Sequence, residues 1–241
     1  MRCGLDYDRC RYVSASSEIP PSKINRDEER TIKILCVSDK IVQHLYSPTV
    51  SRYRNEVNLT IGCGDLPYYY LEFLQSMIDT PLYYVHGNHD SEKEYLEDGT
   101  AIEGPMGGIN LHCYSWKEGD LILAGLEGSI KYNQAAKFQY TQTQMWFNVL
   151  YLIPYLLINK LRYGRYLDIF VAHSPPFGIH NGKDRVHVGF NAFLWLMKVF
   201  KPRYLIHGHQ HVYSNEVTET KYMDTTVLNI YPYKILEIEL I

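Results

Sequence analysis

Short apolar runs alternate with helix-like segments from Thr31 to the C-terminus, and this alternation constrains the possible fold more than any other feature. The runs typical of buried strands are residues 32–37, 59–63, 82–85, 121–126, 168–172 and 204–207. The segments with helical character are residues 69–78, 142–161 and 190–200. Strands and helices that alternate in this way predict an α/β fold, in which helices cover the faces of β-sheets.

The two ends of the chain and its most apolar segment need separate predictions. Residues 1–30 are polar and show no sustained period, so we expect an N-terminal arm or extension before a domain that spans residues 31–241. Residues 225–230 and 234–240, with Pro232 between them, predict a closing β-hairpin.

The helix predicted over residues 142–161 is apolar on nearly every face, and Pro154 is expected to kink it or to split it in two. Two interpretations of this helix stay open. It is either a buried helix or cover over the core, or a surface that meets a membrane or a partner chain.

The charge balance limits the partners that the surface as a whole could attract. The chain has 24 Lys and Arg residues against 27 Asp and Glu residues, which gives a formal net charge of −3. This balance argues against nucleic acid as a partner, so any phosphate must bind at a local site. Residues 145–211 differ from the rest, because they contain 8 Lys or Arg residues and only 2 Asp or Glu residues.

The cysteines and the first residues indicate the cellular compartment. The chain begins without the apolar core of a signal peptide, so we expect a cytoplasmic protein. Its 5 cysteines form an odd set without a CxxC pair, which favours reduced thiols over disulfides.

Five of the predicted strands end in residues that can bind a metal or transfer a proton. These residues are Asp39, Asp65, Asn88, His89, Asp90, His173, His209 and His211. The carboxyl ends of strands form the ligand crevice of open α/β sheets, so we expect the five ends to converge. Carboxylates, imidazoles and one amide suit Mn, Fe or Zn better than Ca. The set therefore predicts a site for two metal ions.

The motifs around these residues resemble those of the calcineurin-like metallophosphoesterase family. The matching motifs are Asp39 of DxH, Gly64-Asp65 of GD, Gly87-Asn88-His89-Asp90 of GNH(D/E), His173 as the later single His, and Gly208-His209-Gln210-His211 of GHxH. The match extends from about Ile32 to the C-terminus. The resemblance implies a four-layer sandwich of two mixed β-sheets flanked by helices, in a single domain.

The resemblance also implies a role for each residue. The implied metal ligands are Asp39 and His211 at the first site, Asn88, His173 and His209 at the second, and Asp65 bridging both. His89 would be the general acid that protonates the leaving oxygen, with Asp90 orienting its imidazole. The implied activity is hydrolysis of a phosphate ester by a hydroxide that bridges two divalent ions such as manganese.

The first motif departs from the family pattern, because Ile41 stands where DxH has its histidine. The side chain of Ile41 cannot bind a metal, so the first site loses one imidazole. We expect a weaker or differently selective first metal, with water or another side chain such as His44 in the gap. A catalytically impaired protein-interaction scaffold on the same fold is the alternative function.

Substrate recognition is expected in the loops between the motifs. We predict that four residues contact substrate: Asn88, His180, Lys183 and Arg185. The last three follow the motif histidine His173 closely and carry hydrogen-bond donors that suit anionic oxygen. Residues 128–133 are a weaker candidate of the same kind. The predicted substrate is a small phosphodiester or a nucleotide-like molecule. We do not favour a membrane surface as partner, since only the apolar helix supports it.

Overall fold

The computed structural model describes residues 31–182, 184, 186–212 and 216–240, so the predicted arm over residues 1–30 lies outside the described part. The strands are β1 (Thr31–Val37), β2 (Leu59–Gly62), β3 (Leu82–Tyr84), β4 (Glu94–Tyr95), β5 (Ala101–Ile102), β6 (Gly108–Asn110), β7 (Tyr114–Glu118), β8 (Leu121–Leu126), β9 (Ser129–Ile130), β10 (Gln139–Tyr140), β11 (Ile169–Ala172), β12 (Tyr204–His207), β13 (Glu219–Tyr222), β14 (Thr225–Asn229) and β15 (Tyr233–Glu239). The helices are α1 (Tyr68–Ile78), α2 (Gln142–Tyr163) and α3 (Asn191–Phe200), and Pro48–Asn55 forms a 3₁₀ helix.

Two mixed sheets and two layers of helix confirm the predicted four-layer sandwich. The first sheet has the strand order β15-β1-β2-β3-β6, and only β15 runs antiparallel to its neighbour. The second has the order β13-β14-β12-β11-β8-β7, with antiparallel strands at both edges. Helix α1 packs on the outer face of the first sheet, while α2 and α3 cover the second.

Alternation along β1 shows how the sequence builds these layers. Ile34 and Cys36 point into the core between the two sheets, whereas Leu35 and Val37 pack beneath α1. All four side chains are fully buried. A strand with two buried faces needs a continuous apolar run, and for this reason the sequence pattern located β1 correctly.

The predicted closing hairpin is wrong, because its two segments belong to different sheets. Strand β14 pairs with β12 and β13 in the second sheet, and β15 pairs with β1 in the first. Leu228 and Leu236 both reach the core between the sheets, so each segment buries its apolar residues without pairing with the other. Residues 230–232 cross between the two sheets.

Helix α2 is continuous through Pro154, so the predicted split does not occur. Proline removes one N–H, which leaves the carbonyl of Leu150 without its helical donor. Leu150 lies on the exposed side of the helix, where water can replace that donor. A capping box between Thr141 and Gln144 begins the helix, and Gly164 ends it in the left-handed conformation. Among the described residues, none of the helices is both long and apolar enough to span a membrane.

A buried carboxylate, Glu127, lies directly after β8 among polar partners. His86 Nδ1 lies 3.0 Å from its Oε2, Tyr140 OH donates to its Oε1 at 2.5 Å, and His112 Nε2 lies 3.6 Å away. Burial alone would raise the pKa of Glu127. The charge of His112 and the hydrogen bond from His86 outweigh burial and lower the pKa to about 2.

We predict that Glu127→Gln lowers the free energy of unfolding by about 3 kcal/mol at neutral pH. A carboxyl whose pKa is lower in the folded protein stabilises it above the ordinary value of 4.5. That stability is lost as the pH falls from there towards 2. Urea unfolding should therefore show a difference between wild type and variant that shrinks with falling pH. The exposed Glu97→Gln variant is the control, and a difference independent of pH would contradict the prediction.

Candidate metal centre

The predicted site residues lie at the carboxyl ends of five strands, along one edge of the sandwich. The parallel strands β1, β2 and β3 end at this edge in the first sheet, and β11 and β12 do so in the second. The residues are Asp39 after β1, Asp65 after β2, Asn88 and His89 after β3, His173 after β11, and His209 and His211 after β12. The fold thus joins segments that are far apart in sequence.

Three of these residues have a strained backbone. Asp39, Asp65 and His209 have φ angles of 62°, 56° and 63°, in the left-handed region that favours glycine. Each such residue costs about 1–3 kcal/mol, and strain of this kind clusters at functional sites. Hydrogen bonds hold the turns in place: Asp39 N–H donates to the carbonyl of Gly64 at 3.1 Å, and the Asp39 carboxylate accepts from the N–H of His209 at 2.9 Å.

Four side chains converge on one point at this edge. Asp65, His173 and His209 each offer a ligand atom, and these atoms lie within 4.8 Å of one another. Asn88 Oδ1 lies 3.0 Å from His173 Nε2, so the amide belongs to the same group. Two imidazoles, one carboxylate and one amide oxygen form a ligand set that suits Mn, Fe or Zn.

Hydrogen bonds on the far sides of the two imidazoles determine which nitrogens face the centre. His173 Nδ1 donates to the carbonyl of Cys63 at 2.8 Å, and His209 Nε2 donates to the carbonyl of Val186 at 3.1 Å. The lone pairs on His173 Nε2 and His209 Nδ1 then face each other at 3.1 Å. Two facing lone pairs repel unless a cation or a proton lies between them. The donor set therefore fits a divalent metal ion.

The electrostatics of this group are those of a cation site. Burial would lower the pKa of His173, but the nearby carboxylates of Asp65 and Asp39 raise it instead. Burial would raise the pKa of Asp65, yet the charge and hydrogen bond of His173, 3.4 Å away, lower it. Burial and the charge of His173 lower the pKa of His209. In the protein without metal, a proton on His173 supplies the positive charge that the carboxylates require.

The second part of the candidate centre consists of Asp39 and His211, the residues expected at the first metal site. The carboxylate of Asp39 accepts a hydrogen bond from Ser38 Oγ, and burial raises its pKa. His211 Nε2 lies 3.9 Å from Asp39 Oδ1, and its ring stacks on Tyr231 with centroids 4.5 Å apart. His211 is half exposed, so this part of the centre opens to solvent.

The side chain of Ile41 is partly buried and packs away from the polar residues of the centre. It packs against the apolar cluster between the first sheet and α1. His44, which the sequence offered as a replacement, is exposed and makes an edge contact with the ring of Tyr233 at 5.1 Å. The group of converging metal-binding side chains found among the described residues does not include His44.

His89 and Asp90 have different surroundings at the centre. His89 is exposed, and its backbone N–H donates to Asp65 Oδ1 at 2.7 Å, which holds the backbone of this residue beside the converging ligands. The carboxylate of Asp90 accepts hydrogen bonds from the N–H groups of Asp65, Leu66 and Gly87, at 2.7 to 3.0 Å. Asp90 therefore ties the turn after β2 to the turn after β3. Its hydrogen bonds in the structure go to these backbone groups and not to the ring of His89.

The predicted substrate residues lie only partly within the described residues. Lys183 and Arg185 fall outside them. His180 is half buried, and its ring nitrogens lie 3.0 Å from His207 Nε2 and 2.9 Å from Thr220 Oγ1. Burial lowers the pKa of His180, so the ring is neutral near pH 7. His180 also lines a cavity of about 380 Å³ next to the GHxH turn, and its neutral ring adds no charge to the cavity wall.

Tyr132 is a residue of the centre that sequence reasoning did not single out. Asn88 Nδ2 donates to Tyr132 OH at 3.1 Å, and this bond leaves Asn88 Oδ1 directed at His173. Gln139 accepts from the backbone N–H of Tyr132 at 3.2 Å and holds the loop. The sequence indicated residues 128–133 as a candidate substrate loop, but nothing in the pattern marks one tyrosine as the partner of Asn88.

We predict that Tyr132→Phe weakens metal binding about tenfold, the lower end of the effect expected for groups that orient a ligand. Tyr132 is 38% exposed, so water can take over part of the hydrogen bond to the Asn88 amide. Isothermal titration with Mn²⁺ would measure the change. The exposed Tyr95→Phe variant is the control, and equal affinity in all three proteins would show that Tyr132 does not orient Asn88.

Comparison with solved structures shows the fold. One solved structure aligns with a TM-score of 0.55 at 15% identity, and it covers 88% of this chain and 100% of its own. The protein TT1561 of Thermus thermophilus aligns with a TM-score of 0.53 at 14% identity, with the same two coverages. Vacuolar Protein Sorting 29 from Cryptosporidium parvum aligns at 0.41 and 11% identity, over 83% of this chain and 74% of that one, too weakly to inform function.

Comparison at the level of sequence identifies the family. Curated protein sequences give no significant match. The model of calcineurin-like phosphoesterases matches residues 32–213, which include every motif residue of the centre. With most of its length matched by that model, the chain belongs to the calcineurin-like phosphoesterase family.

Proposed function

We propose that this protein is a metal-dependent hydrolase of phosphate esters that acts on a small phosphodiester or nucleotide-like molecule. The observation that carries the proposal is the approach of His173 Nε2 and His209 Nδ1 to 3.1 Å, beside the Asp65 carboxylate. Such an arrangement is stable only around positive charge. Membership of the phosphoesterase family indicates phosphoester hydrolysis as the chemistry that this charge serves.

The chain offers ligands for two divalent ions, with Mn, Fe or Zn as the candidates. The proposed ligands are Asp39 and His211 for the first ion, Asn88, His173 and His209 for the second, and Asp65 for both. When bound, two such ions lower the pKa of a water molecule and hold phosphate oxygens for in-line displacement. The surrounding hydrogen bonds keep the ligands in position, because the carbonyl of Cys63 orients His173 and Tyr132 orients Asn88.

His89 is the proposed general acid. As the P–O bond to the leaving group breaks, the imidazole donates its proton to the leaving oxygen. The side chain is exposed while its backbone N–H is anchored to Asp65, so the ring can reach a substrate at the metal edge. Asp90 supports this step by holding the turn that carries His89 against the turn of Asp65.

Two features support a small substrate. The net charge of −3 gives no extended attraction to a polymer of phosphates. His180 lines a cavity beside the GHxH turn, where a neutral part of a substrate could bind. Lys183 and Arg185 remain the proposed contacts to anionic oxygen. We also propose a cytoplasmic location, because Cys36 and Cys63 are buried free thiols.

The experiment that tests this function combines a metal titration with an activity assay. We expect the apoprotein to bind two Mn²⁺ ions, the first site more weakly, and to hydrolyse a generic aryl phosphodiester only with metal. Chelation should abolish turnover and added Mn²⁺ should restore it. Binding of at most one ion at saturating Mn²⁺, together with no hydrolysis, would overturn the proposal.

The second candidate function is a protein-interaction scaffold that has lost catalysis. The observation that favours it is the presence of Ile41, which packs against an apolar cluster and leaves the first metal without one imidazole. The exposed His89 beside Asp65 argues against it, because a scaffold has no use for a proton donor there. Hydrolysis that is unchanged in a His89→Ala variant would not come from this site and would favour the scaffold.

A further inference from the structure

The outward side of α2 is apolar along nearly the whole helix. The exposed residues, which we call the α2 outer face, are Phe147, Leu150, Tyr151, Leu157, Ile158 and Leu161. They recur at intervals of three and four residues, and exposed Pro154 continues the stripe. The opposite side is fully buried in the core through residues such as Val149 and Leu152. The helix is thus docked on the sheet and still exposes a second apolar stripe.

The charges within the sequence segment that contains this helix have one sign. Between Glu127 and Asp168 the sequence contains five Lys or Arg residues and no Asp or Glu. Two of the five, Lys160 and Arg162, are exposed on either side of Leu161, whose side chain is 87% exposed. An acid-free segment with cations beside large exposed apolar side chains complements a surface that is both apolar and anionic.

Aromatic residues extend the face towards α3. The rings of Trp146 and Trp195 meet edge to face with centroids 5.6 Å apart, and both are half buried. Lys198 and Val199 of α3 are exposed near the end of the same layer. Half-buried tryptophans next to aliphatic residues and lysines are typical of a helix that lies at a membrane interface.

We propose that the α2 outer face binds the surface of a lipid bilayer that contains anionic phospholipids. The helix lies parallel to the surface, because its inner side is held against the second sheet. The helix has 22 residues, and the α2 outer face from Phe147 to Leu161 forms a stripe about 22 Å long. The apolar side chains enter the region between headgroups and acyl chains, while Lys160 and Arg162 meet lipid phosphates. This binding does not depend on the proposed hydrolysis.

A second copy of the chain fits this face less well than a bilayer does. Helix α2 contains no acidic residue, so pairing of two such helices offers no partner for Lys160 and Arg162. Antiparallel pairing would place these cations beside the positive end of the other helix dipole, and parallel pairing would place like charges together. Anionic headgroups supply the missing countercharge.

Vesicle co-sedimentation of the full chain tests the proposal. We expect binding to vesicles of phosphatidylcholine mixed with phosphatidylserine, weaker binding in high salt, and little binding to phosphatidylcholine alone. Leu150→Ser, Leu157→Ser and Leu161→Ser combined should lower the partition coefficient about tenfold or more. Lys160→Gln and Arg162→Gln should each lower it about fivefold. All five residues are exposed, so the variants should fold, and circular dichroism would verify this.

Exposed apolar residues outside α2 provide the matched control. Tyr95→Ser, Met106→Ser and Val217→Ser combined change three exposed side chains and should leave vesicle binding intact. Absence of vesicle binding in the wild type, or equal binding to neutral and anionic vesicles, would overturn the proposal. Self-association at rising concentration that the leucine variant abolishes, without vesicle binding, would assign the face to a second copy. Because no substrate is present, none of these results depends on hydrolysis.

Discussion

His89→Ala is expected to lower kcat for an alkyl phosphate ester by about 10²–10⁴-fold, the usual contribution of a general acid. The variant removes the proton donor for the leaving oxygen but keeps the backbone N–H that anchors Asp65 Oδ1 at 2.7 Å. Metal stoichiometry should therefore remain that of the wild type. An aryl ester whose leaving group needs no proton should lose far less activity. Steady-state kinetics with the two esters, combined with metal analysis, would measure the effect.

The matched control for this variant is His44→Ala. His44 is also an exposed histidine near a strand end, but its ring contacts Tyr233 and it does not join the converging ligands found in the described part of the chain. We expect His44→Ala to keep both metal binding and kcat. Equal losses for the two esters in His89→Ala would contradict the role of general acid. Loss of a metal in His44→Ala would instead reveal a replacement ligand.

Gly87→Ala is expected to damage the metal centre through a single methyl group. A Cβ at this position would overlap Asp65 at both its carboxylate and its backbone nitrogen. The two turns cannot separate easily, because Asp90 binds the N–H groups of both Gly87 and Asp65. Overpacking of this kind costs about 1–3 kcal/mol of stability, and a ligand displaced by about 1 Å can cost 10²-fold in rate. We therefore expect activity to fall about 10²-fold, with weaker Mn²⁺ binding.

Gly99→Ala separates displacement of Asp65 from a general loss of stability. Gly99 has a φ of 81°, so alanine there is strained, yet an added Cβ would meet no atom within 4 Å. We expect this variant to lose about 1 kcal/mol of stability and to keep its activity. Thermal unfolding, Mn²⁺ titration and turnover would be compared for both variants. Gly87→Ala with wild-type metal affinity would show that the turns can move apart.

Strands could be predicted from the sequence where both faces of the strand are buried. The run before Asp39 and the run before His173 are continuous and apolar because each strand lies between two packed layers. Polar residues directly after such runs lie at the carboxyl edge of a parallel sheet by geometry alone. The candidate ligands could therefore be named from the sequence before any pairing of strands was known.

Pairing of strands was less predictable. Residues 225–230 and 234–240 looked like two arms of a hairpin, because both are apolar and only a few residues separate them. Their partners, β12 with β13 and β1, come from distant parts of the chain. Local pattern carries no information about which free edge a strand will meet, so proximity in sequence was misleading here.

The sequence also could not predict the groups that hold the metal-binding side chains in position. The carbonyls of Cys63 and Val186 orient the two histidines, and every residue has a carbonyl, so no side-chain pattern marks them. No sequence pattern indicates the hydrogen bonds that Asp90 accepts from backbone N–H groups. Tyr132 meets Asn88 because the loop after β9 lies next to the turn after β3.

The sequence by itself determined the layered α/β fold and the identity of the candidate metal ligands, because buried strands and strand-end turns impose residue types that can be read locally. The tertiary structure decided how those residues act together. It brings His173 Nε2 and His209 Nδ1 face to face, packs Ile41 against the apolar cluster beside α1, and leaves the outer side of α2 uncovered. These outcomes depend on distances between distant segments, which only the packing of the whole chain determines.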